Sequence, residues 1–73
     1  MSSILQHRHL LGEAIRVKRK MAKLSQEKLG EKADLSTVFI SRVECGKESP
    51  SIDSLSKIAH ALGVKVRYLV RHF

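Results

Sequence analysis

The chain has 73 residues, with 14 Lys plus Arg against 7 Asp plus Glu and a net charge of +7. That length holds one small domain with a marginal core and excludes a separate catalytic or effector-binding unit, while the positive balance favours nucleic acid or an anionic surface as partner. The lone Cys45 rules out an internal disulfide and fits a reducing compartment, and no apolar run reaches the roughly 18 residues of a membrane span.

Apolar residues recur at helical spacing almost throughout, and strand-like alternation is scarce. Residues 1–7 read as a mobile N-terminal arm or a helix extension, and MSSILQHRHL carries no signal-peptide pattern. Leu11, Ile15 and Val17 mark the inner face of a first helix ending near Ala22. The basic run IRVKRKMAK lies along it, so the charge concentrates in the N-terminal third: Arg8, Arg16, Lys18, Arg19, Lys20 and Lys23 stand against Glu13. Ser25 is an N-cap for a second helix of about eight residues, with Leu29 and Ala33 inward. Asp34 ends that helix, since Asp tolerates the left-handed conformation a tight turn needs.

Ser36 caps a third helix that runs to Cys45 and stops at Gly46. The KESP loop follows, and Ser51 after Pro50 caps a fourth helix. Ile52, Leu55, Ile58, Ala59 and Leu62 repeat along it at helical spacing until Gly63. Val66, Leu69, Val70 and Phe73 form a last short amphipathic helix. Lys65 at its cap puts positive charge at the positive end of the helix dipole, so this helix is expected to fray or lean on a partner. Its apolar stripe is expected both to complete the core and to pack on a second subunit. The chain reads as all-α, five helices in one compact unit.

Only Asp34, Leu35 and Ser36 separate the second and third helices, too few for the two to lie flat and antiparallel; they must cross steeply, as in a helix-turn-helix. On a wheel of about 100° per residue with Thr37 at zero, Ser41 falls near about 40°, Cys45 about 80°, Val38 about 100° and Arg42 about 140°. Phe39, Val43, Ser36 and Ile40 occupy the opposite arc, roughly 200–300°. The first arc has one formal charge and small hydroxyls, which a DNA major groove accepts at close range. Val38 can meet a thymine methyl, and Arg42 can donate two parallel hydrogen bonds to guanine. Phosphates would be held by flanking elements. Glu44 sits between the arcs, where it would repel DNA unless neutralised; Arg19 on the first helix is the candidate partner in a partly buried ion pair.

The stretch LGEAIRVKRKMAKLSQEKLGEKADLSTVFISRVECGKESPSIDSLSKIAHALGV resembles the Cro and phage-repressor family of helix-turn-helix regulators, also called XRE-type. The matching residues are Leu11-Gly12, Ile15-Arg16, Arg19, Leu24-Ser25-Gln26, Leu29, Leu35-Ser36, Ile40-Ser41-Arg42, Glu44, Gly46, Pro50-Ser51, Leu55, Ile58-Ala59 and Leu62-Gly63-Val64. The resemblance implies a five-helix lambda-repressor-like fold over residues 8–73 and a homodimer that binds a double-stranded, pseudo-palindromic operator. It implies base or nearby phosphate contacts at Ser36, Thr37, Val38, Ser41 and Arg42, and phosphate contacts at Gln26, Lys47 and Ser51. The Arg19–Glu44 pair matches a buried family pair, and Val66, Leu69, Val70 and Phe73 are the expected dimer residues. Asp34 replaces the usual turn glycine, Gly30 a usual alanine, Cys45 a usual polar or basic residue, and Lys65 a usual capping residue. Among free-standing proteins of this length, the chain most resembles a restriction–modification controller or a small phage-type repressor.

No paired carboxylates, no nucleophile with a placed base and no phosphate-cradling glycine loop are present, so no enzyme and no cofactor are expected. His7 and His9 around Arg8 lack companions for a metal site. A cytoplasmic protein with no membrane partner and no small-molecule effector is expected. The alternative function class is an antitoxin-like module whose main partner is another protein.

Overall fold

The computed structural model describes residues 3–71, which form five helices: α1 Ser3–Met21, α2 Gln26–Ala33, α3 Thr37–Glu44, α4 Ile52–Leu62 and α5 Val66–Val70. The described residues contain no strand. Leu11 and Ile15 of α1 and Leu29 and Ala33 of α2 are four residues apart on single helix faces, and all are buried. Ile40 and Val43 of α3, Leu55, Ile58 and Ala59 of α4, and Leu69 of α5 close the same core. α2 packs on α3 and α4, while α1 packs on α3, α5 and α4.

The helix ends follow local chemistry. Ser25, Ser36 and Ser51 are extended N-caps, and their hydroxyls accept the backbone N–H of Lys28, Phe39 and Ser54 respectively. At the end of α2, Asp34 is left-handed (φ 58°, ψ 46°). Its N–H donates to Glu31 O and that of Leu35 to Gly30 O, the paired bonds of a Schellman turn. α1 ends the same way: Lys23 takes φ 60°, with Lys23 N–H donating to Lys20 O and Leu24 N–H to Arg19 O.

Four expectations need amendment. α1 begins at Ser3, so residues 3–7 are the helix extension, while residues 1 and 2 lie outside the described residues. Val17 does not face the core: it is 45% exposed, because α1 directs Leu11, Ile15 and Arg19 inward and Val17 falls off that line. α3 ends at Glu44, with Cys45 as its C-cap. Leu69 is wholly buried inside its own chain and therefore offers no surface to a second copy. That burial also explains how α5 forms without a side-chain cap at Lys65. Val66 and Val70 are half-buried against the core, Tyr68 is exposed, and Phe73 lies outside the described residues.

Candidate nucleic-acid interface

The site is built on α3, which is short and polar on one side and therefore depends on its neighbours for position. Ile40 and Val43 anchor its inner side, with Phe39 half-buried beside them. The backbone of α1 comes unusually close: a Cβ at Gly12 would lie 2.5 Å from Val43 O and 2.6 Å from Glu44 O. Glycine at this position is what lets α1 and α3 touch. Gly30 plays a similar part in the turn, where a Cβ would meet Leu35 O at 2.6 Å.

The opposite side of α3 is open. Thr37, Val38 and Arg42 are exposed, Val38 at 69%, and Ser41 is half-buried beside exposed Cys45. These residues form the continuous stripe that the wheel geometry requires. Ser36 falls outside the buried arc assigned to it: as the N-cap it precedes the helix, so wheel angles do not govern it, and it is exposed with its Oγ on Phe39 N–H. The stripe thus offers hydroxyls, one branched apolar group and one guanidinium on a rigid rod.

Glu44, next to this stripe, is neutralised from behind. Arg19 Nε donates to Glu44 Oε2 at 2.6 Å and Arg19 Nη2 to Oε1 at 3.0 Å, a bidentate pair with both residues 8% exposed. Arg19 Nη1 also donates to Leu24 O at 2.9 Å, so one guanidinium ties together α1, α3 and the link into α2. The hydrogen bond to Glu44 raises the Arg19 guanidinium above its ordinary value, against the opposing effect of burial.

The residues expected to flank the stripe are distributed over three elements. Gln26 begins α2 and donates from Nε2 to Glu44 Oε1 at 3.0 Å, which binds its amide to α3. Lys47 is exposed in the loop after α3, and its backbone N–H donates to Arg42 O at 2.9 Å. Ser51, exposed, caps α4 and shares its Oγ with Ser54 N–H and Oγ.

Two partners were not legible in the sequence: Gln26 as a third member of the Arg19–Glu44 network, and Glu48, which binds Arg42 Nε at 3.1 Å. Neither pair is periodic, and Glu48 lies in an irregular loop, so spacing carries no signal for them. Among the described residues, no group of three or more His, Cys, Asp and Glu side chains could hold a metal. No described helix is long and apolar enough to cross a membrane.

Two short helices, α2 and α3, packed together and joined by three residues, with a buried cross-tie behind the second and an open polar stripe in front, match a helix-turn-helix. The family model described as helix-turn-helix (HTH_3) matches residues 15–69. The chain belongs to that family. An immunity repressor protein of Bacillus phage phi105 is 38% identical over 60 residues, covering 82% of this chain and 42% of the repressor; the chain thus spans less than half the length of that relative. The crystal structure of the restriction-modification controller protein C.AhdI from Aeromonas hydrophila superposes with a TM-score of 0.84 at 31% identity, over 85% of this chain and 94% of that one. The P22 c2 repressor in complex with a synthetic operator superposes with a TM-score of 0.81 at 34% identity, over 88% of this chain and 97% of that one.

Proposed function

We propose that this chain is a sequence-specific, DNA-binding transcriptional regulator, a homodimer that sets α3 of each subunit into the major groove of a pseudo-palindromic double-stranded operator. The observation that carries this reading is the open stripe of Thr37, Val38, Ser41 and Arg42 on a helix whose other side is locked by Ile40, Val43 and the Glu44–Arg19 pair. A groove-reading helix needs that combination: small groups for close approach, donors for base edges and no freedom to roll. Similarity to a repressor solved on a synthetic operator supports it.

On this reading Ser36, Thr37, Val38, Ser41 and Arg42 address bases and nearby phosphates, while Gln26, Lys47 and Ser51 hold phosphates. Ser51 and Gln26 stand at helix starts, where backbone N–H groups favour anions. The surface for a second copy comprises Val66 and Val70 with exposed Tyr68, and the two reading helices lie about 34–36 Å apart on one face of the duplex. On this reading the chain acts in the cytoplasm as a DNA-binding regulator and not as an enzyme, of the controller or phage-repressor type.

Selection of bound duplexes from a random pool tests the reading. Enrichment of a two-half-site sequence, with protection of both half-sites in a footprint, is the expected result. Recovery of unrelated sequences at every salt concentration overturns it.

A further inference from the structure

The cation on the outward stripe of α3 is already engaged. Arg42 Nε donates to Glu48 Oε1 at 3.1 Å, and Arg42 Nη2 makes a long contact of 3.4 Å with Lys47 O. The two contacts occupy Nε–H and one of the two Nη2 protons. Nη1 and the other Nη2 proton are used by neither contact.

The Arg42–Glu48 pair is half-exposed, with side chains 51% and 40% accessible, and a pair so placed adds little to stability. The loop does not need it either, because Lys47 N–H to Arg42 O and Gly46 N–H to Val43 O already close the end of α3. Its consequence is therefore for what Arg42 does when DNA arrives.

We infer that Glu48 is a specificity-determining residue that directs Arg42 toward base edges and away from phosphates. This rests on the reading of α3 as the base-reading helix. An arginine on a free stem pairs with the nearest phosphate whatever the sequence. A carboxylate on Nε–H changes that contest. It repels a phosphate that approaches the same guanidinium, since both carry negative charge. It opposes guanine O6 and N7 far less, because these acceptors carry only partial negative charge, and they can take two parallel hydrogen bonds from the guanidinium. Glu48 can thus stay on Nε while Arg42 reads a guanine, but must be displaced or opposed when Arg42 meets a phosphate.

The experiment measures binding of the full chain to the selected operator and to a scrambled duplex of equal length, across a salt series. It compares wild type, Glu48→Gln, Arg42→Ala and the double variant, with thermal unfolding as a control on the fold. Glu48→Gln should lower the ratio of operator to scrambled affinity by about two- to fivefold and leave the melting midpoint in place. The slope of log affinity against log salt on the scrambled duplex should steepen by roughly one. In the Arg42→Ala background the same substitution should leave the ratio unchanged, because its route of action is gone. An unchanged ratio in Glu48→Gln, or an equal fall with and without Arg42, overturns the inference. A wild-type chain that does not tell operator from scrambled DNA instead overturns the base-reading assignment itself.

Discussion

Arg19 and Glu44, on helices that meet at Gly12, form a two-pronged ion pair at 2.6 and 3.0 Å directly behind the outward stripe of α3. The pair sets the roll of α3 and, through Glu44 Oε1, also holds the Gln26 amide at the start of α2. Removing one partner leaves a buried charge without compensation. Glu44→Ala is expected to cost about 3–5 kcal/mol, a large share of the stability of a domain this small. Lys20→Ala, on the exposed side of α1, is expected to stay within about 0.5 kcal/mol of wild type. Urea unfolding of the two variants checks the order; the opposite order removes the pair from its structural role.

Gly12→Ala pits two effects against each other. Helix propensity alone would gain up to about 1 kcal/mol. The added Cβ, however, meets the backbone oxygens of Val43 and Glu44 at 2.5 and 2.6 Å, and backbone gives way less easily than a side-chain tip. Overpacking of this kind costs about 1–3 kcal/mol, so the melting temperature is expected to fall. A rise in a thermal melt would mean that α1 and α3 can separate freely.

Asp34→Gly should move stability the other way. Asp34 holds the left-handed position that ends α2, where glycine has no Cβ penalty, and its negative charge sits at the negative end of the helix dipole. Both terms favour glycine, and a gain of about 1 kcal/mol is expected, read as a higher urea midpoint.

Arg42→Ala and Lys47→Ala separate the proposed reading role from the proposed holding role. The first is expected to cost about 1–3 kcal/mol on the operator and relax preference at one base pair. The second should weaken all sequences alike and reduce the salt slope by roughly one. Titrations on operator and random duplexes distinguish them, and equal losses on both duplexes for Arg42→Ala would contradict its role.

On the proposed reading, α5 divides into a residue for the fold and residues for association. Leu69→Ala empties a fully buried site and should lower stability by about 2–5 kcal/mol. Tyr68→Ala touches an exposed ring and should leave the fold intact while weakening self-association in sedimentation at micromolar concentration. A strict monomer on and off DNA would remove the dimer from the proposal.

Much of this molecule is local. The serine caps at Ser25, Ser36 and Ser51, the left-handed stop at Asp34 and the apolar spacing of Leu29, Ala33, Leu55 and Ile58 each involve neighbours within one turn. Helix order, the brief Asp34–Ser36 link and the split of α3 into buried and open arcs therefore follow from residue type and period alone, and the stripe of Thr37, Val38, Ser41 and Arg42 was visible on the same basis. What needed the tertiary structure was every relation across the fold. Val17 looked inward by type, yet lies off the α1 line that faces the core; Leu69 looked available to a partner, yet the core of its own chain takes all of it. The contact of Gly12 with the backbone of α3, the reach of Gln26 to Glu44 and the hold of Glu48 on Arg42 depend on where separate helices and an irregular loop come to rest. Periodicity describes one helix at a time, so it determines which side of α3 is open; only packing decides what stands behind that side and which partner its single cation already has.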